Sequence, residues 1–408
     1  MKVGLYSVGW PYKEFPNGIV RNLGVLTEAF DQLKHDYVVF AASVSGEDKY
    51  LNIVDLSTTR DDFRPTKTRK LISKLYNGII LGKSVWKDNS FAKNLVHRMR
   101  KVEKEDNMPF DILVVEETHG WAADLVEMLD IPVVVKLHGP WFLNGTALNI
   151  TKNKKYYKRV DAERRGICAA AGVIAPSHCV LEEVRQYYDI ELPNASVIYN
   201  PMLSASDENK WVYENCIKDQ ILFVGRFDTH KGGDVVVSAF NHVAQMNAKA
   251  RLVFAGPDRG IDYEDDTLKI QKYIDKTITD GNIKSRIHYL GAVTSDKANQ
   301  LRRESNITIM ASRWENFANT VTEAMGMGCP FVGTNSGGTP EIISHGKTGL
   351  LVEPCNPIDL AEKISMILED GELATRLSNN AFNYISERLD PIMIAKQNLE
   401  YFMRISNK

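Results

Sequence analysis

Residues 313–330, RWENFANTVTEAMGMGCP, combine a polar loop with the start of a helix and carry two glutamates eight positions apart. The apolar run ITIMAS ends just before this stretch and predicts a buried strand. Val321, Ala324 and Met325, spaced as i, i+3 and i+4, predict a helix with one buried face, and the closing Gly-Cys-Pro predicts its end. A strand, a loop and a helix in this order form the unit from which parallel α/β sheets are built.

The same alternation of short apolar runs and amphipathic segments continues in both directions. It forms a first series, KVGLYSV, a helical pattern from Ile19 to Phe30, YVVFAA, DILVVEE, PVVVKL, GVIAPS and ASVIYN. It forms a second series, QILFVGRF, a helix from about Lys231, ARLVFAG, a helix near 265–278, RIHYLGAV, ITIMAS, PFVGTNS and GLLVEP. Such alternation is typical of βαβ units with parallel strands.

We therefore predict an α/β protein of two tandem Rossmann-like domains, each with a doubly wound parallel sheet. The polar segment SASDENKW, which lacks periodicity, separates the two series. The predicted domains are residues 1–200 and 201–385, and residues 386–408 are predicted to form a helix that packs back on the first domain. In such sheets the ligand lies at the carboxyl ends of the strands, so we expect the site in the cleft between the domains.

Composition excludes several classes of protein. The 408 residues are 44% hydrophobic with a net charge of −2, which is typical of a globular protein and argues against binding to nucleic acid. The five cysteines are scattered without a C-x-x-C pair, so neither a disulfide framework nor a zinc site is indicated. The N-terminus lacks the pattern of a signal peptide, and no apolar run approaches the ~18 residues that span a bilayer. We expect a cytoplasmic protein.

Two stretches of the first half are basic. Between Arg60 and Lys104 there are thirteen Lys or Arg against four Asp or Glu, and between Lys152 and Arg165 seven against two. Aromatic and aliphatic residues are interleaved in the first stretch. These stretches fit either solvated helix faces or a surface that contacts anionic lipid at the inner face of the membrane.

The opening stretch has the chemistry of an anion site. Asn319 and Thr320 stand at the predicted helix start, where free amides and the helix dipole favour a phosphate group. Glu323, about one turn further along, could accept hydrogen bonds from the vicinal hydroxyls of a ribose, and Glu315 could face another part of the same ligand. The alternative is that one glutamate is exposed and the other caps the helix or forms an ion pair.

Two further segments have residues suited to the same ligand. In FVGRFDTHKGG, Arg226 and Lys231 lie between a strand and a helix, where two cations suit a diphosphate. They could equally be solvent-exposed loop cations. Gly337 and Gly338, in TNSGGTPEII, allow a backbone turn against the cleft, although an ordinary strand-to-helix turn explains them as well.

Taken together, GRFDTHKGG, RWENFANTVTEAMGMGCPFVGTNSGGTPEII and TGLLVEPCNPIDLA resemble the donor-binding half of the retaining glycosyltransferases of family 4, which have the two-domain GT-B fold. The resemblance is most marked over about 220–370 and continues over 1–200. It implies that Glu315 contacts the transferred sugar, that Glu323 binds the ribose, and that Arg226 and Lys231 hold the diphosphate. It also places donor contacts on the loop residues Phe317, Ala318, Asn319 and Thr320.

Other positions match the family in the same way. Val293, after RIHYLG, matches the position whose backbone meets the base. Gly18, in Asn17-Gly18, matches the family's glycine loop near the phosphates, with one glycine in place of two. His138 follows PVVVKL, where the family has a histidine that contacts the donor sugar; His119 follows DILVVEE similarly and is the competing candidate. The family's commonest form of this loop, E-G-F-G, reads E-N-F-A here, with Asn316 and Ala318 in place of glycines, so the sequence does not identify the transferred sugar.

The resemblance implies an activity that needs no metal or other cofactor. Transfer from a UDP- or GDP-sugar to a glycan or lipid-linked acceptor builds negative charge on the departing diphosphate, which arginine, lysine and a helix dipole can stabilise. No D-x-D follows a predicted strand to hold a divalent ion. We expect front-face transfer, with Glu315 orienting the sugar.

Two other classes of function use similar sheets. A dehydrogenase would need G-x-G-x-x-G after its first strand, and neither half has it. An epimerase, a phosphorylase or a non-catalytic protein that binds sugar nucleotides would share the same pocket, and the sequence leaves these alternatives open.

Overall fold

A computed structural model describes residues 1–15, 17–46, 52–57, 89–148, 150–264 and 266–407. Within these ranges the chain forms two α/β domains, each built on a parallel sheet, and the predicted fold class is confirmed. Residues 60–88 of the first basic stretch lie outside the described residues.

The first domain has a seven-stranded sheet of order β3-β2-β1-β4-β5-β6-β7, in which every paired strand is parallel. Its strands are β1 (Val3–Ser7), β2 (Tyr37–Ala41), β3 (Ile53–Asp55), β4 (Ile112–Glu116), β5 (Val133–Lys136), β6 (Gly172–Ala175) and β7 (Ala195–Val197). The short edge strand β3 was not predicted. The central strands are buried along their whole length because helices cover both faces, which explains their continuous apolar runs.

The helices of the first domain cover the two faces of this sheet. They are α1 (Gly18–Gln32), α2 (Ser90–Asp106), α3 (Trp121–Val126), α4 (Trp141–Ala147), α5 (Lys154–Ala169) and α6 (His178–Tyr188). Side chains at helix starts cap several of them: Asn17 accepts a hydrogen bond from the Ile19 amide, and Ser177 accepts one from the Val180 amide.

The second domain has a six-stranded parallel sheet of order β12-β9-β8-β13-β14-β15. Its strands are β8 (Ile217–Val224), β9 (Arg251–Ala255), β12 (Ile287–Gly291), β13 (Ser305–Ile309), β14 (Phe331–Thr334) and β15 (Leu350–Val352), and a separate antiparallel pair is formed by β10 (Ile261–Tyr263) and β11 (Asp266–Leu268). The helices that follow the first domain are α7 (Gly233–Met246), α8 (Ile270–Thr277), α9 (Gly281–Lys284), α10 (Ser295–Glu304), α11 (Asn319–Gly326), α12 (Pro357–Glu369), α13 (Gly371–Arg388) and α14 (Pro391–Ser406).

The predicted helix near 265–278 is wrong at its start. Ile261–Tyr263 and Asp266–Leu268 form the antiparallel pair instead, and the helix covers Ile270–Thr277. Glu264 has a φ of 53°, a left-handed conformation that turns the chain between the two strands. The Asp258 carboxylate then accepts a hydrogen bond from the Ile270 amide at 3.0 Å and fixes the start of the helix.

The order of the strands creates one crevice in each domain. The sheet order reverses between β1 and β4 in the first domain and between β8 and β13 in the second, so the loops at these carboxyl ends diverge and leave room for a ligand. The chain after β1 leads to α1, the loop after β8 contains Arg226 and Lys231, and the loop after β13 contains Glu315.

The last helix, α14, lies on the first domain although α13 belongs to the second. Ile394, Leu399, Phe402 and Ile405 of α14 pack with residues of β1, α1 and β6 in one buried cluster. In the described part of the chain no helix has the length and apolar character needed to cross a bilayer.

Candidate functional site

The start of α11 faces the cleft as a helix end without a side-chain cap. Ala318 occupies the N-cap position, and its methyl group cannot accept a hydrogen bond from the first-turn amides. The amides of Asn319 and Thr320 therefore lie at the positive end of the helix, as predicted from the sequence. The side chains of Ala318 and Phe317 are buried, with the Phe317 ring 5.7 Å from that of Tyr199, so these two residues can offer a ligand only their backbone.

The start of α1 lies directly opposite. A Cβ atom at Gly18 would be 2.3 Å from Nδ2 of Asn319, and Nδ2 of Asn22 lies 3.4 Å from Oδ1 of Asn319. The structure thus brings Gly18 and Asn319, 301 positions apart in the sequence, to the same point. Two helix starts that face one space give it a positive potential from both domains.

Glu315 is paired with Lys231 at the carboxyl ends of β13 and β8. The Lys231 ammonium donates to Oε1 of Glu315 at 2.5 Å, and the two side chains are 23% and 13% exposed. Burial raises the pKa of Glu315, but the charge and hydrogen bond of Lys231 more than offset this effect and hold the pKa below its usual value. The carboxylate is therefore ionised at neutral pH, and the pair carries no net charge.

The Glu315 loop is held by the glycine pair that follows β14. The Gly338 amide donates to the carbonyl of Glu315 at 2.8 Å. Gly337 has a φ of +58°, and a Cβ atom there would be 2.0 Å from the same carbonyl oxygen. The glycines are therefore needed for close backbone contact with this loop.

Arg226 lies in the same loop as Lys231 but is bound elsewhere. Its Nε donates to Asp228 at 2.6 Å, and Nη2 lies 3.5 Å from Nδ1 of His230. The second Asp228 oxygen accepts a hydrogen bond from the Lys231 amide at 2.7 Å, so one carboxylate fixes both predicted diphosphate ligands.

The Glu323 carboxylate is ion-paired with two arginines, as in the alternative considered for the sequence. Nη1 of Arg21, from α1 of the first domain, donates to one oxygen, and Nη2 of Arg302 donates to the other at 2.5 Å. Arg302 is only 1% exposed, whereas Glu323 is 16% exposed at the cleft. The sequence did not predict either partner, because Arg21 lies 302 positions and Arg302 lies 21 positions before Glu323, each on a different helix.

His138 follows β5 and is held by its backbone. The amides of His138 and Gly139 both donate to the buried carboxylate of Glu117, at 3.1 Å and 2.9 Å. Burial, together with the nearby charge of Lys136, lowers the pKa of His138 to about 3, so its imidazole is neutral at physiological pH. Burial also raises the pKa of Glu117 to about 8, helped by the charges of Glu163 and Glu116.

His119 has a different setting. Its φ is 59° and its ring lies 5.2 Å from that of Trp121 in the first domain. The glycine that follows it packs against α5, where a Cβ atom would be 1.8 Å from the carbonyl oxygen of Ala162. These contacts are within the first domain, whereas the loop of His138 reaches the second: Asn144 donates to the Gly139 carbonyl at 2.7 Å and accepts a hydrogen bond from Asn316 at 2.9 Å.

Asn316 replaces a glycine of the family's pattern and joins the domains. Besides its bond to Asn144, its carbonyl accepts a hydrogen bond from Ser177 at 2.9 Å, and its Oδ1 accepts one from the Trp314 indole at 3.0 Å. A second contact is made by Glu341, whose carboxylate accepts hydrogen bonds from the amides of His178 and Cys179, both at 2.8 Å.

Val293 is the one predicted site residue that lies apart from the others. It follows β12, and its side chain packs on Leu222, Val253, Ala255 and Leu301. Because β12 is three strands from β13 in the sheet order, its loop lies about 14 Å from that of Glu315 at the usual strand spacing. Within the described ranges no group of three or more His, Cys, Asp and Glu side chains could hold a metal ion.

Two family models together match most of the chain. The model described as "Glycosyltransferase Family 4" matches residues 16–202, and the model described as "Glycosyl transferases group 1" matches residues 208–384. The chain is 26% identical to N-acetyl-alpha-D-glucosaminyl L-malate synthase of Bacillus anthracis, over 77% of this chain and 79% of that protein. It is 27% identical to an uncharacterised glycosyltransferase of Methanocaldococcus jannaschii, over 70% and 72%.

Solved structures show the same fold. HepE of Anabaena, solved in complex with UDP, has a TM-score of 0.66 and 17% identity over 99% of this chain and all of that one. TarM has a TM-score of 0.70 and 12% identity over 98% of both chains. The two matched ranges and the shared fold confirm the resemblance seen in the sequence: the chain belongs to the group 1 glycosyltransferases of the GT-B fold.

Proposed function

We propose that the protein is a retaining hexosyltransferase that uses a UDP- or GDP-sugar and transfers the sugar to a hydroxyl of a glycan or lipid-linked acceptor. The observation that carries the proposal is a pair of contacts in the cleft: Lys231 pairs with Glu315, and Gly18 lies against Asn319 at the uncapped start of α11, four residues further along the chain. A nucleotide sugar as donor is further supported by HepE, a protein of the same fold that was solved with UDP-glucose.

In this proposal the protein stabilises the leaving diphosphate with fixed charges. Lys231, Arg226 and the two helix starts supply positive potential where negative charge develops as the glycosidic bond breaks. Diphosphate and Glu315 then compete for the Lys231 ammonium, so donor binding frees the Glu315 carboxylate to orient the sugar. His138 is neutral because of its lowered pKa, so its imidazole can accept a hydrogen bond from a sugar hydroxyl at one nitrogen or donate one to a sugar hydroxyl from the other.

The mechanism we propose needs no metal ion or other cofactor. Activity is then expected to persist in EDTA, because the charges come from protein side chains and helix ends. Chelation that abolishes turnover, with recovery on adding Mn²⁺ or Mg²⁺, would contradict a metal-free mechanism. Arg226→Ala provides the matched test, since it should lower the affinity for the nucleoside diphosphate in the presence and absence of EDTA alike.

Two measurements test the activity itself. A thermal-shift screen of UDP-, GDP- and ADP-sugars identifies the donor, and NMR of the product determines whether the anomeric configuration is retained. Release of free nucleotide that depends on an added acceptor distinguishes a transferase from an epimerase or a sugar-nucleotide binding protein. Release that depends on inorganic phosphate would instead indicate a phosphorylase, and inversion of configuration would contradict the retaining mechanism.

We also propose a peripheral contact with anionic membrane on the cytoplasmic side, supported by the second basic stretch. Its lysines are exposed and lie beside exposed apolar side chains, a combination that favours the membrane interface. The lysines are Lys152, Lys154, Lys155 and Lys158, and the apolar residues are Leu148, Ile150 and Tyr157.

Sedimentation with liposomes that contain anionic lipid tests this contact. Changing Lys154, Lys155 and Lys158 to Glu should reduce sedimentation at low salt, because each lysine near an anionic surface contributes about 1 kcal/mol. The matched control changes three exposed lysines of the second domain, Lys269, Lys272 and Lys276, to Glu. An equal effect of the two triple variants, or no binding by the wild type, would contradict the proposed surface.

A further inference from the structure

A cavity of about 620 Å³ lies between the domains and includes none of the predicted donor ligands. Its first-domain wall comes from α4 and α6, and its second-domain wall from the loops after β8 and β13. It is lined by Phe142, Leu143, Thr146, Ala147, Glu183, Tyr187, Thr229, Arg313 and Trp314. Its volume is within the range of about 300–1,000 Å³ that holds small ligands in proteins.

Lining residues from both walls of the cavity are neighbours in the chain of predicted donor residues. Thr229 lies between Arg226 and Lys231 in one loop, and Trp314 immediately precedes Glu315 in the other. On the first-domain side, α4 begins two residues after Gly139, in the loop of His138. Arg21 and Glu323, which mark the predicted ribose end, line a separate space with Met202. The cavity is therefore at the sugar end of the donor site.

The walls of the cavity are largely apolar and aromatic. The rings of Phe142 and Tyr187 stack at 3.9 Å with an angle of 10°, and Tyr187 is 48% exposed. The Trp314 indole is fixed from behind by its hydrogen bond to Asn316. Such faces bind the apolar C–H face of a sugar ring, and the hydroxyls at the edge of the ring remain free for polar partners.

Among the described residues that line the cavity, the uncompensated charge is negative. Arg313 is neutralised by the two carboxylate oxygens of Asp234, at 3.0 Å and 2.7 Å. Glu183 has no ion pair within the described residues, so it contributes an uncompensated carboxylate. A second negative charge placed in this partly desolvated space would be repelled.

We propose that this cavity is the acceptor subsite and that it binds an uncharged sugar ring, which stacks on Tyr187 and Trp314 and donates a hydrogen bond from one of its hydroxyls to the Glu183 carboxylate. The inference rests on the proposed glycosyl transfer and names its acceptor class. The acceptor oxygen bonds to the anomeric carbon, the bond from that carbon to the diphosphate oxygen breaks with its electron pair, and the hydroxyl proton passes to the departing phosphate. Acceptors with a carboxylate or phosphate on this ring are excluded by Glu183.

The test compares methyl hexosides with the matching methyl hexuronosides as acceptors, with the donor identified by thermal shift. Tyr187→Ala should raise the KM for a neutral hexoside about tenfold by removing the aromatic face, while Tyr187→Phe preserves it. Tyr289→Ala, which removes an exposed tyrosine of β12 in the second domain, outside the cavity, is the matched control. Nucleoside diphosphate affinity, measured by calorimetry, should stay within about twofold in all three variants.

Glu183 is tested by acceptor charge. Glu183→Gln should reduce the preference for the neutral over the anionic glycoside about tenfold, whereas the adjacent surface variant Glu182→Gln should leave it unchanged. A wild type that prefers hexuronosides, that uses no neutral hexoside while it binds the donor, or that is insensitive to Tyr187→Ala and Glu183→Gln would overturn the acceptor subsite. Failure to bind any nucleotide sugar would instead refute the proposed transferase activity.

Discussion

The carboxylate of Glu323 stabilises the second domain as well as facing the cleft, because it is the ion-pair partner of the almost fully buried Arg302. The Arg302 guanidinium is already incompletely hydrogen-bonded, because its buried Nε has no hydrogen-bond partner among the described residues. Glu323→Ala would leave the guanidinium charge uncompensated. We expect this variant to lose about 3 kcal/mol in the free energy of unfolding, measured with urea.

The control for that prediction is Glu323→Gln, which keeps one acceptor for Arg302 and should lose less stability. Both variants should weaken nucleoside diphosphate binding, because neither can hold a ribose with a carboxylate. A stable Glu323→Ala protein would show that Arg302 is satisfied in another way. The comparison matters for any alanine scan of this site, since loss of binding by Glu323→Ala combines a local and a global effect.

Glu117 should make the stability of the protein depend on pH. Its folded pKa of about 8 lies above that of an unfolded glutamate, near 4.3, so the folded state keeps a proton that the unfolded state has lost. Stability from this residue is complete below about pH 4.3 and falls as pH rises towards about 8. Glu117→Gln, which resembles the protonated form, should therefore gain stability relative to the wild type across this range.

Urea unfolding at several pH values measures that difference. Up to about 1.4 kcal/mol per pH unit is expected, less if Glu116 and Glu163 take up part of the proton. A difference in stability that does not vary with pH would mean that Glu117 is ionised in the folded protein.

At the scale of single residues, local patterns predicted the positions that lie next to a helix start or a strand end. Lys231, Glu315, Asn319 and Gly18 lie where the periodicity of the flanking elements placed them, and their roles as ligands stay predictions. The partners that come from distant segments could not be predicted. Arg21 and Glu323 are 302 positions apart, and the spacing of charges along a chain does not indicate such a pair.

At the scale of elements, the turn that contains Gly337 should be sensitive to the smallest substitution. Gly337→Ala would place a methyl group against the carbonyl of Glu315 in a backbone conformation that alanine rarely adopts. We expect a loss of stability of a few kcal/mol, about 1–2 kcal/mol of it from the conformation alone, together with a large loss of turnover.

Gly346→Ala is the matched control for Gly337→Ala. Gly346 also has a left-handed conformation, with a φ of +74°, but a Cβ atom there would have nothing within 4 Å. The loss of stability in Gly346→Ala should therefore measure the free-energy cost of placing alanine in a left-handed conformation, without any steric clash. Equal losses of stability and turnover in the two variants would mean that contact with the Glu315 loop is unimportant.

The elements themselves were predictable where hydrophobic periodicity was long. Every central strand of both sheets was identified because burial on both faces requires an unbroken apolar run. The antiparallel pair of β10 and β11 was not identified, because its strands are three residues each and Glu264, directly after β10, has a left-handed conformation. Short strands of this kind carry too few residues to show a period of two.

At the scale of the whole molecule, the ion pair between Arg21 and Glu323 should favour the closed arrangement of the domains without nucleotide. Arg21→Ala should shift the ligand-free protein towards open forms, seen as a larger radius of gyration in small-angle X-ray scattering. Lys101→Ala, which removes an exposed pair within α2, is the control and should leave the radius unchanged. An unchanged radius in Arg21→Ala would show that the contacts of Asn316 and Glu341 suffice to hold the domains together.

The return of the chain to the first domain at α14 determines how the two domains can move. The backbone crosses between them twice, once after β7 and once before α14, and the amide of Met202 on the first crossing donates to the carbonyl of Leu389 on the second at 2.9 Å. Because the two crossing segments are joined by this hydrogen bond, they form a hinge. They restrain translation of one domain relative to the other and leave rotation about the axis through both segments as the main motion. When the domains open, side chains near this axis would be displaced little, and the displacement of other residues would increase with their distance from the axis.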